Sequence, residues 1–195
     1  MNITGAKDYI IHLLKAEYRF NLYYHTIEHT LDVYQAAKKL IGREKVDPHT
    51  GLLIETAALF HDAGMTLEYK DHETASTEIA VKQLPQYYYS KDEIATICEL
   101  IMITTMPQRA QTLPEKILCD ADLDNLGRED FFINSFKLKL EWEMNGVLTC
   151  SLGQWLVGQK EFLEKHTYFT ASAFKMRQEK KLKNLAEILE IINLL

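Results

Sequence analysis

The chain has 195 residues, 47% of them hydrophobic and 26% charged, and its 28 acidic residues against 22 basic ones give a formal net charge of -6. A chain of this length can bury the core of one domain without disulfides. The low content of eight glycines and four prolines argues against a turn-rich all-β sandwich, and the acidic balance argues against a protein that coats nucleic acid. We expect one helix-rich domain over residues 1–195.

Apolar residues recur at helical spacing along most of the chain. Helices are predicted over 5–20 and 27–41, and Asp47-Pro48 opens a third helix that we expect to end at Gly64. This third helix is apolar on nearly all sides, so it should be the buried central one. The remaining helices are predicted over 72–84, 91–104, 113–127, 128–145, 152–164 and 170–194, with connectors over 86–90 and 106–108.

No pattern of a secreted or membrane-spanning chain is found. The first 20 residues lack a long apolar region with a cleavage site, and no stretch of about 18 apolar residues occurs. Cys98, Cys119 and Cys150 are odd in number and far apart, so they predict neither a disulfide framework nor a zinc knuckle. We therefore expect a cytoplasmic protein that does not contact a membrane.

The first candidate site residues are His25 and His29, which are four residues apart and thus neighbours on a helix. His29 lies four residues before Val33, the start of an apolar stripe, so it should point inward with His25 at the mouth of the helix. From this pair alone, metal-site histidines and an ordinary pair of one buried and one exposed histidine are equally good interpretations.

His61-Asp62 ends the most apolar helix of the chain. A carboxylate there cannot stay ionised without a strong partner, and a metal ion would be such a partner. The alternative is a helix end that emerges into water, although the C-terminal end of a helix dipole disfavours an anion. We favour the metal interpretation because a second histidine pair is available.

Three aspartates, Asp120, Asp122 and Asp124, alternate near residue 120. Asp122 is four residues from both Leu118 and Leu126, which places it on the apolar face. Asp120 and Asp124 share the opposite face, which we expect to be solvated. The inward carboxylate is therefore predicted to be Asp122.

Together these residues form a mixed nitrogen and oxygen set, unlike a cysteine-rich structural zinc site. Such a set suits a divalent ion, and we expect one or two ions of Mn, Fe, Co, Ni, Zn or Mg. A bound ion would reverse the local field, so the negative net charge does not exclude a small phosphorylated substrate.

The order His29…His61-Asp62…Asp122 resembles the H…HD…D pattern of the HD-domain superfamily of metal-dependent phosphohydrolases. The resemblance covers roughly residues 20–130, and the words Ala-Leu-Phe-His-Asp and Asp-Ala-Asp-Leu are its most specific parts. It implies an all-α HD-domain bundle in which these four residues hold the metal, with the helices of 131–195 packed on that core. It also implies that metal-activated water cleaves a phosphomonoester or phosphodiester of a nucleotide-like small molecule.

The form Tyr24-His25-Thr26-x-x-His29 is similar to the first metal motif of cyclic-nucleotide phosphodiesterases, a divergent branch of the same architecture. This resemblance implies that His25 is the general acid for the leaving oxygen and that His29 is a metal ligand. In a metal-dependent hydrolysis, Asp62 would take the proton of the attacking water or orient that water. The rest of the phosphodiesterase domain is absent, which counts against cyclic nucleotides as substrates. The Glu-Asp pair that follows the HD motif in alarmone hydrolases is absent too.

Three further residues are candidates for a second metal or a phosphate. His72-Glu73 resembles the His-Glu element of many small prokaryotic members, and His72 fits a second-metal ligand, a phosphate contact or a surface residue equally well. Arg128 follows the last motif closely and either binds a phosphate in bidentate fashion or caps a helix. The aromatic residues of 155–170 are expected to pack between helices rather than close a pocket.

Two other functions remain open. A sensor module would bind metal and nucleotide with little turnover, but His25 favours catalysis because a pure binder needs no acid for a leaving group. A di-iron oxygenase, which the HD-like fold supports in inositol oxygenase, needs further histidine ligands, and His72 alone lies between His61 and Asp122. The sequence does not indicate the oligomeric state.

Overall fold

The computed structural model describes residues 1–16 and 21–195, so the end of the predicted helix over 5–20 lies outside the described residues. The described part of the chain forms nine α-helices and three 3₁₀ helices without a strand, which confirms the all-α prediction. The α-helices are α1 Ile3–Ala16, α2 Ile27–Arg43, α3 Pro48–Phe60, α4 His72–Gln83, α5 Lys91–Met102, α6 Leu113–Asp122, α7 Phe131–Met144, α8 Leu152–Lys165 and α9 Ala171–Leu194. The 3₁₀ helices span Ala63–Thr66, Leu84–Tyr87 and Asp124–Gly127.

The apolar helix α3 lies at the centre, as its composition predicts. It packs against α1, α2, α5 and α6, and Ile54, Leu59 and Phe60 have no exposed surface. Its start is fixed by Asp47, whose side chain accepts a hydrogen bond of 3.0 Å from the backbone N–H of Thr50. A smaller apolar cluster links the third 3₁₀ helix to α7, α8 and α9.

Gly64 does not end α3, because that helix stops at Phe60 and Gly64 lies in the following 3₁₀ helix. The glycine is needed for a different reason: a Cβ atom at position 64 would lie 2.0 Å from the carbonyl oxygen of His72. The backbone after α3 and the first turn of α4 therefore approach more closely than any side chain allows.

None of the helices in residues 1–16 and 21–195 combines the length and the apolar character needed to cross a bilayer.

The expectation that Asp120 is solvated is wrong. Its side chain is buried and accepts hydrogen bonds from the backbone N–H groups of Phe169 and Thr170, both at 2.8 Å, and from the Thr170 hydroxyl at 2.7 Å. Thr170 in turn caps α9. Burial raises the pKa of Asp120, although these hydrogen bonds lower it. Asp120 thus fastens the start of α9 to α6.

Asp124 is also buried rather than solvated. Its two carboxylate oxygens accept hydrogen bonds of 2.7 Å from Nε and Nη2 of Arg177, which lies on α9. Helix α9 thus covers the face of Asp120 and Asp124 that was predicted to be solvated. The prediction was wrong because amphipathic spacing within one helix cannot show which distant segment packs against it.

Replacing Asp120 with alanine is expected to lower the free energy of unfolding by about 2–4 kcal/mol, because two buried N–H groups and a hydroxyl lose their acceptor. The measurement is urea unfolding of the metal-free protein, followed by circular dichroism. Asp8→Ala, at an exposed position of α1, is the matched control and should change stability by less than about 0.5 kcal/mol. Equal stability of the two variants would contradict the anchoring role of Asp120.

Candidate metal centre

Four polar side chains from three segments meet near the centre of the molecule. His29 lies in the first turn of α2, His61 and Asp62 follow α3, and Asp122 is the last residue of α6. His29 Nε2 lies 3.3 Å from Asp62 Oδ2 and 3.4 Å from Asp122 Oδ1. His61 Nε2 lies 3.1 Å and 3.5 Å from the same two oxygens. All four predicted metal-site residues therefore lie together.

The geometry of this group fits a divalent metal ion. Ligand atoms about 2.1 Å from an ion lie about 3.0 Å apart in octahedral geometry and about 3.4 Å apart in tetrahedral geometry. The four distances between imidazole nitrogens and carboxylate oxygens, from 3.1 to 3.5 Å, match these values. The ligand atoms of His29, His61 and Asp122 all lie within 4.8 Å of one another, so one ion can contact these three side chains. Asp62 Oδ2 adjoins the same group at 3.3 and 3.1 Å from the two imidazoles.

Two unpartnered atoms support the same conclusion. His61 Nε2 and Asp62 Oδ2 are buried, and neither has a hydrogen-bond partner in the described part of the chain. His61 Nδ1 lies 2.9 Å from the carbonyl oxygen of Ala58. When Nδ1 carries the proton and donates it to this carbonyl, Nε2 keeps its lone pair for an ion.

The charges of the group are strongly coupled. Burial by itself lowers the pKa of His61, but the carboxylates of Asp62 and Asp122 raise it well above its usual value. Burial raises the pKa of Asp62, but His61 and His29 hold it well below its usual range. A metal ion must displace protons from the imidazoles, so its binding should weaken as the pH falls.

Gln108 orients one of the carboxylates. Its Nε2 atom donates a hydrogen bond of 2.9 Å to Asp122 Oδ2, which leaves Oδ1 directed at the two imidazoles. Gln108 lies between α5 and α6, in a segment that sequence analysis treated only as a connector. Nothing in the local sequence distinguishes it from an exposed glutamine.

His72 adjoins the group from the first turn of α4. Its Nε2 atom lies 3.3 Å from Asp62 Oδ1, the oxygen of Asp62 that is turned away from His29 and His61. Glu73 Oε2 lies 3.7 Å from the Nδ1 atom of His72. His72 could reach a second ion or a phosphate beside Asp62, so both of these interpretations stay predictions. The contact with Asp62 excludes an isolated surface position for His72.

Arg128 is held by two carboxylates. Its Nη1 atom donates to Asp32 at 2.7 Å, and Nε and Nη2 donate to the two oxygens of Asp130 at 2.9 and 2.6 Å. Among the residues that the structure describes, the side chain of Arg128 bonds to these carboxylates and to no helix-end carbonyl. A phosphate contact from Arg128 would have to compete with these two acids.

His25 lies in the turn before α2 rather than on the helix, which begins at Ile27. Its ring centroid is 5.7 Å from that of His29 and 6.0 Å from that of His72, so His25 borders the candidate metal centre. The expected neighbourhood of His25 and His29 is therefore present, although a turn and not a helix provides it.

Glu141 contacts both the ring and the backbone of His25, and this role was not predicted from the sequence. The carboxylate lies on α7 and has no exposed surface. Oε2 accepts hydrogen bonds from the backbone N–H groups of Tyr23, Tyr24 and His25 at 2.8, 2.7 and 3.0 Å. Oε1 contacts His25 Nδ1 and accepts a hydrogen bond of 2.9 Å from the Tyr69 hydroxyl.

This arrangement fixes the ionisation of Glu141 and the orientation of His25. Burial raises the pKa of Glu141, but the hydrogen bonds from His25 and from the backbone lower it below its usual value. An ionised carboxylate at Nδ1 keeps a proton on that nitrogen, so Nε2 is the atom through which His25 can exchange a proton with a ligand. No local signal separates Glu141 from its partly exposed neighbour Glu143, because the side-chain partners of Glu141 lie more than 70 positions away.

A cavity of about 140 Å³ opens beside His29 and Asp122. A cavity of this size accommodates a group similar to one six-membered ring. Its wall is polar and includes Lys137 and Asn125. The Oδ1 atom of Asn125 is buried without a hydrogen-bond partner among the described residues. The arrangement can therefore hold an ion at one end and a small polar group at the other.

The aromatic residues of the C-terminal third lie away from this cavity. Trp155 is buried, and its Nε1 atom donates a hydrogen bond of 2.9 Å to Ser135 Oγ. Tyr168 is buried beside His166, with ring centroids 4.6 Å apart. None of the residues that line the cavity comes from 155–170, in agreement with the expected packing role.

Comparison of the sequence with protein families identifies the HD domain, whose model matches residues 26–124. This segment contains His29, His61, Asp62 and Asp122 but neither His25 nor Glu141. An uncharacterized protein of Clostridium beijerinckii (strain ATCC 51743 / NCIMB 8052) is 36% identical over 81 residues, which are 40% of this chain and 51% of that protein. The match thus spans about half the length of this curated relative.

Two solved structures have a similar fold. A predicted HD superfamily hydrolase from an uncultured Thermotogales bacterium superposes with a TM-score of 0.65 at 21% identity, covering 99% of this chain and 98% of its own. The Lin1889 protein from Listeria innocua gives a TM-score of 0.61 at 21% identity, covering 97% and 98%. The expected HD-type helical architecture is therefore confirmed, and at this level of identity the likeness concerns the fold.

Proposed function

Because the chain belongs to the HD domain family, we propose that it is a metal-dependent hydrolase that cleaves a phosphomonoester or phosphodiester of a small, nucleotide-like molecule. The observation that carries this proposal is that two groups of residues lie side by side. One is the group of His29, His61 and Asp122, whose ligand atoms all lie within 4.8 Å of one another, with Asp62 beside both imidazoles. The other is His25, which contacts the buried Glu141.

Cleavage of a phosphate ester would use both the metal-binding group and the pair of His25 and Glu141. An ion held by His29, His61, Asp62 and Asp122 would lower the pKa of a water molecule and polarise a phosphoryl oxygen. Asp62 can orient the attacking water, because Oδ1 is directed away from the two imidazoles of the ion group. His25, held at Nδ1 by Glu141, can protonate the leaving oxygen through Nε2.

The cavity beside His29 suits the leaving group. It is polar, and the only aromatic side chain in its wall besides the His29 imidazole is Tyr24 among the described residues. Arg128 is neutralised there by Asp32 and Asp130. A hydroxylated group attached to the phosphate is thus better matched to the cavity than a second phosphate, because the surrounding carboxylates repel another anion.

The proposal is tested with purified protein loaded with Mn²⁺, Co²⁺, Mg²⁺, Zn²⁺ or Fe²⁺. Phosphate release is measured from nucleoside monophosphates and sugar phosphates, and 4-nitrophenol release is measured from bis(4-nitrophenyl) phosphate. Stoichiometric metal binding without turnover of any substrate would overturn the hydrolase proposal. Tight binding of a nucleotide in the same preparation would then favour the sensor module.

Replacement of His25 with glutamine should reduce kcat by about 100-fold to 10,000-fold, since the leaving oxygen loses its acid. The metal content should stay at the wild-type value, because His25 is not one of the four residues of the ion group. Turnover is measured with the best substrate of the panel, and metal by elemental analysis. His12→Gln, at an exposed position of α1, is the control and should retain full turnover. Unchanged kcat in His25→Gln would show that another group donates the proton.

A further inference from the structure

One face of α7 is apolar and open to solvent. Ile133, Phe136, Leu140 and Met144 are 62, 44, 43 and 51% exposed, and Val147, just beyond the helix, is 51% exposed. Their spacing of three or four residues places them in a single row along the helix, which we name the α7 stripe. The other side of α7 already packs inward through the side chains of Phe131, Ser135 and Glu141.

The end of the α7 stripe is held in place by hydrogen bonds. Gly146 has a positive φ of 70°, and its N–H donates to the carbonyl of Glu143 at 3.2 Å. The N–H of Val147 donates to the carbonyl of Trp142 at 2.8 Å. These bonds form the glycine-terminated motif that commonly ends helices, so Val147 extends the stripe by a fixed turn.

The spacing of the α7 stripe is the same when it is read from either end. The intervals from Ile133 to Val147 are three, four, four and three residues, with Leu140 in the middle. A second copy of α7 turned end to end about Leu140 therefore brings Phe136 level with Met144, and Ile133 near the turn that carries Val147. A two-fold symmetric interface requires a surface that matches itself in this way.

We propose that a second copy of this chain covers the α7 stripe, so that the protein is a symmetric dimer joined by antiparallel α7 helices. The stripe exposes on the order of 500 Å² of apolar surface, a size at which patches on monomers are usually functional. Two such surfaces bury roughly 1,000 Å² in total, which reaches the lower limit for a specific interface.

Charges beside the stripe are compatible with this pairing. Lys139 and Glu143 lie on the same flank of α7 and form an ion pair within one chain. In the antiparallel arrangement about Leu140, Lys139 of each copy lies two residues, about 3 Å along the axis, from the level of Glu143 of the other. Lys139 of one copy lies equally close along the axis to Lys139 of the other, and the ion pair of each lysine with Glu143 of its own chain offsets this like charge.

The dimer is tested by light scattering coupled to size-exclusion chromatography at about 1 to 100 µM protein. We expect a mass twice the 22.6 kDa of the chain for the wild type. Leu140→Glu should be monomeric, with a dissociation constant raised at least about 100-fold. Leu182→Glu introduces the same change at a position of α9 that is 52% exposed, and it should stay dimeric. A monomeric wild type, or a dimeric Leu140→Glu, would overturn the proposal.

A cross-linking experiment covers the case in which Leu140→Glu fails to fold. Leu140→Cys should form a covalent dimer on mild oxidation, because position 140 meets itself across the two-fold axis, whereas Leu182→Cys and the wild type should not. Ile133→Cys distinguishes the direction of the helices: antiparallel helices keep the two copies of position 133 apart. A covalent dimer of Ile133→Cys, or none of Leu140→Cys, would contradict the antiparallel pairing.

Discussion

Asp122→Ala is expected to lose most of its bound metal and all measurable hydrolysis. Asp122 Oδ1 lies 3.4 Å from His29 Nε2 and 3.5 Å from His61 Nε2, so its removal takes away one of only two carboxylates that face the ion. The remaining Asp62 cannot offset the charge of a divalent ion by itself. We expect the affinity for Mn²⁺ to fall at least about 100-fold, since loss of a supporting group alone costs up to that much.

The measurement is elemental analysis after dialysis, together with calorimetric titration of the metal-free protein with Mn²⁺. His61→Ala and Asp62→Ala should behave in the same way. Asp120→Ala is the matched control: it removes an aspartate two positions away on the same helix and should keep its metal while losing stability. Full metal content in Asp122→Ala, or loss of metal in Asp120→Ala, would refute the assignment of the inward carboxylate.

Glu141→Ala is expected to be the most damaging change outside the four predicted metal ligands. Three backbone N–H groups, the Tyr69 hydroxyl and His25 Nδ1 all lose their acceptor in a site without exposed surface. Removal of one partner from a buried charged pair costs about 3–5 kcal/mol. Urea unfolding of the metal-free protein should show a loss of this size.

Glu141→Gln separates the two roles of this residue. The amide oxygen still accepts hydrogen bonds from the turn, so the fold should persist, but the neutral group no longer stabilises the protonated ring of His25. We expect kcat to fall about 100-fold or more with an unchanged metal content, and the effect should not add to that of His25→Gln.

Glu143→Gln, on the same helix and partly exposed, is the control and should retain its turnover. Additive effects of His25→Gln and Glu141→Gln would indicate that Glu141 acts only on the fold.

The parts of the fold and site that depend on short-range spacing could be predicted from the sequence. The apolar composition of α3 places it at the centre, and helical periodicity turns Asp122 and His29 inward, because that argument uses neighbours four residues away. The structure brings these residues together with His61 and Asp62, and their role as metal ligands stays a prediction of the proposed function.

Contacts between distant segments could not be predicted in this way. Asp120 was expected in solvent because its own helix face is polar, and only the position of the turn before α9 reveals its partners. Glu141 resembles an ordinary surface residue until α7 is placed against the turn that carries His25. The polar contacts of both residues span dozens of positions, so periodicity has no information about them.

The close approach at Gly64 changes how the word His61-Asp62-Ala63-Gly64 should be understood. His61 and Asp62 are candidate metal ligands, whereas Gly64 is needed for steric fit. The N–H of Gly64 donates to Ser76 Oγ at 2.8 Å, and that hydroxyl donates to the carbonyl of His61 at 2.6 Å. Any larger residue at position 64 therefore requires helix α4 to shift. Gly64 and Ser76 together hold the first turn of α4, and with it His72, beside Asp62.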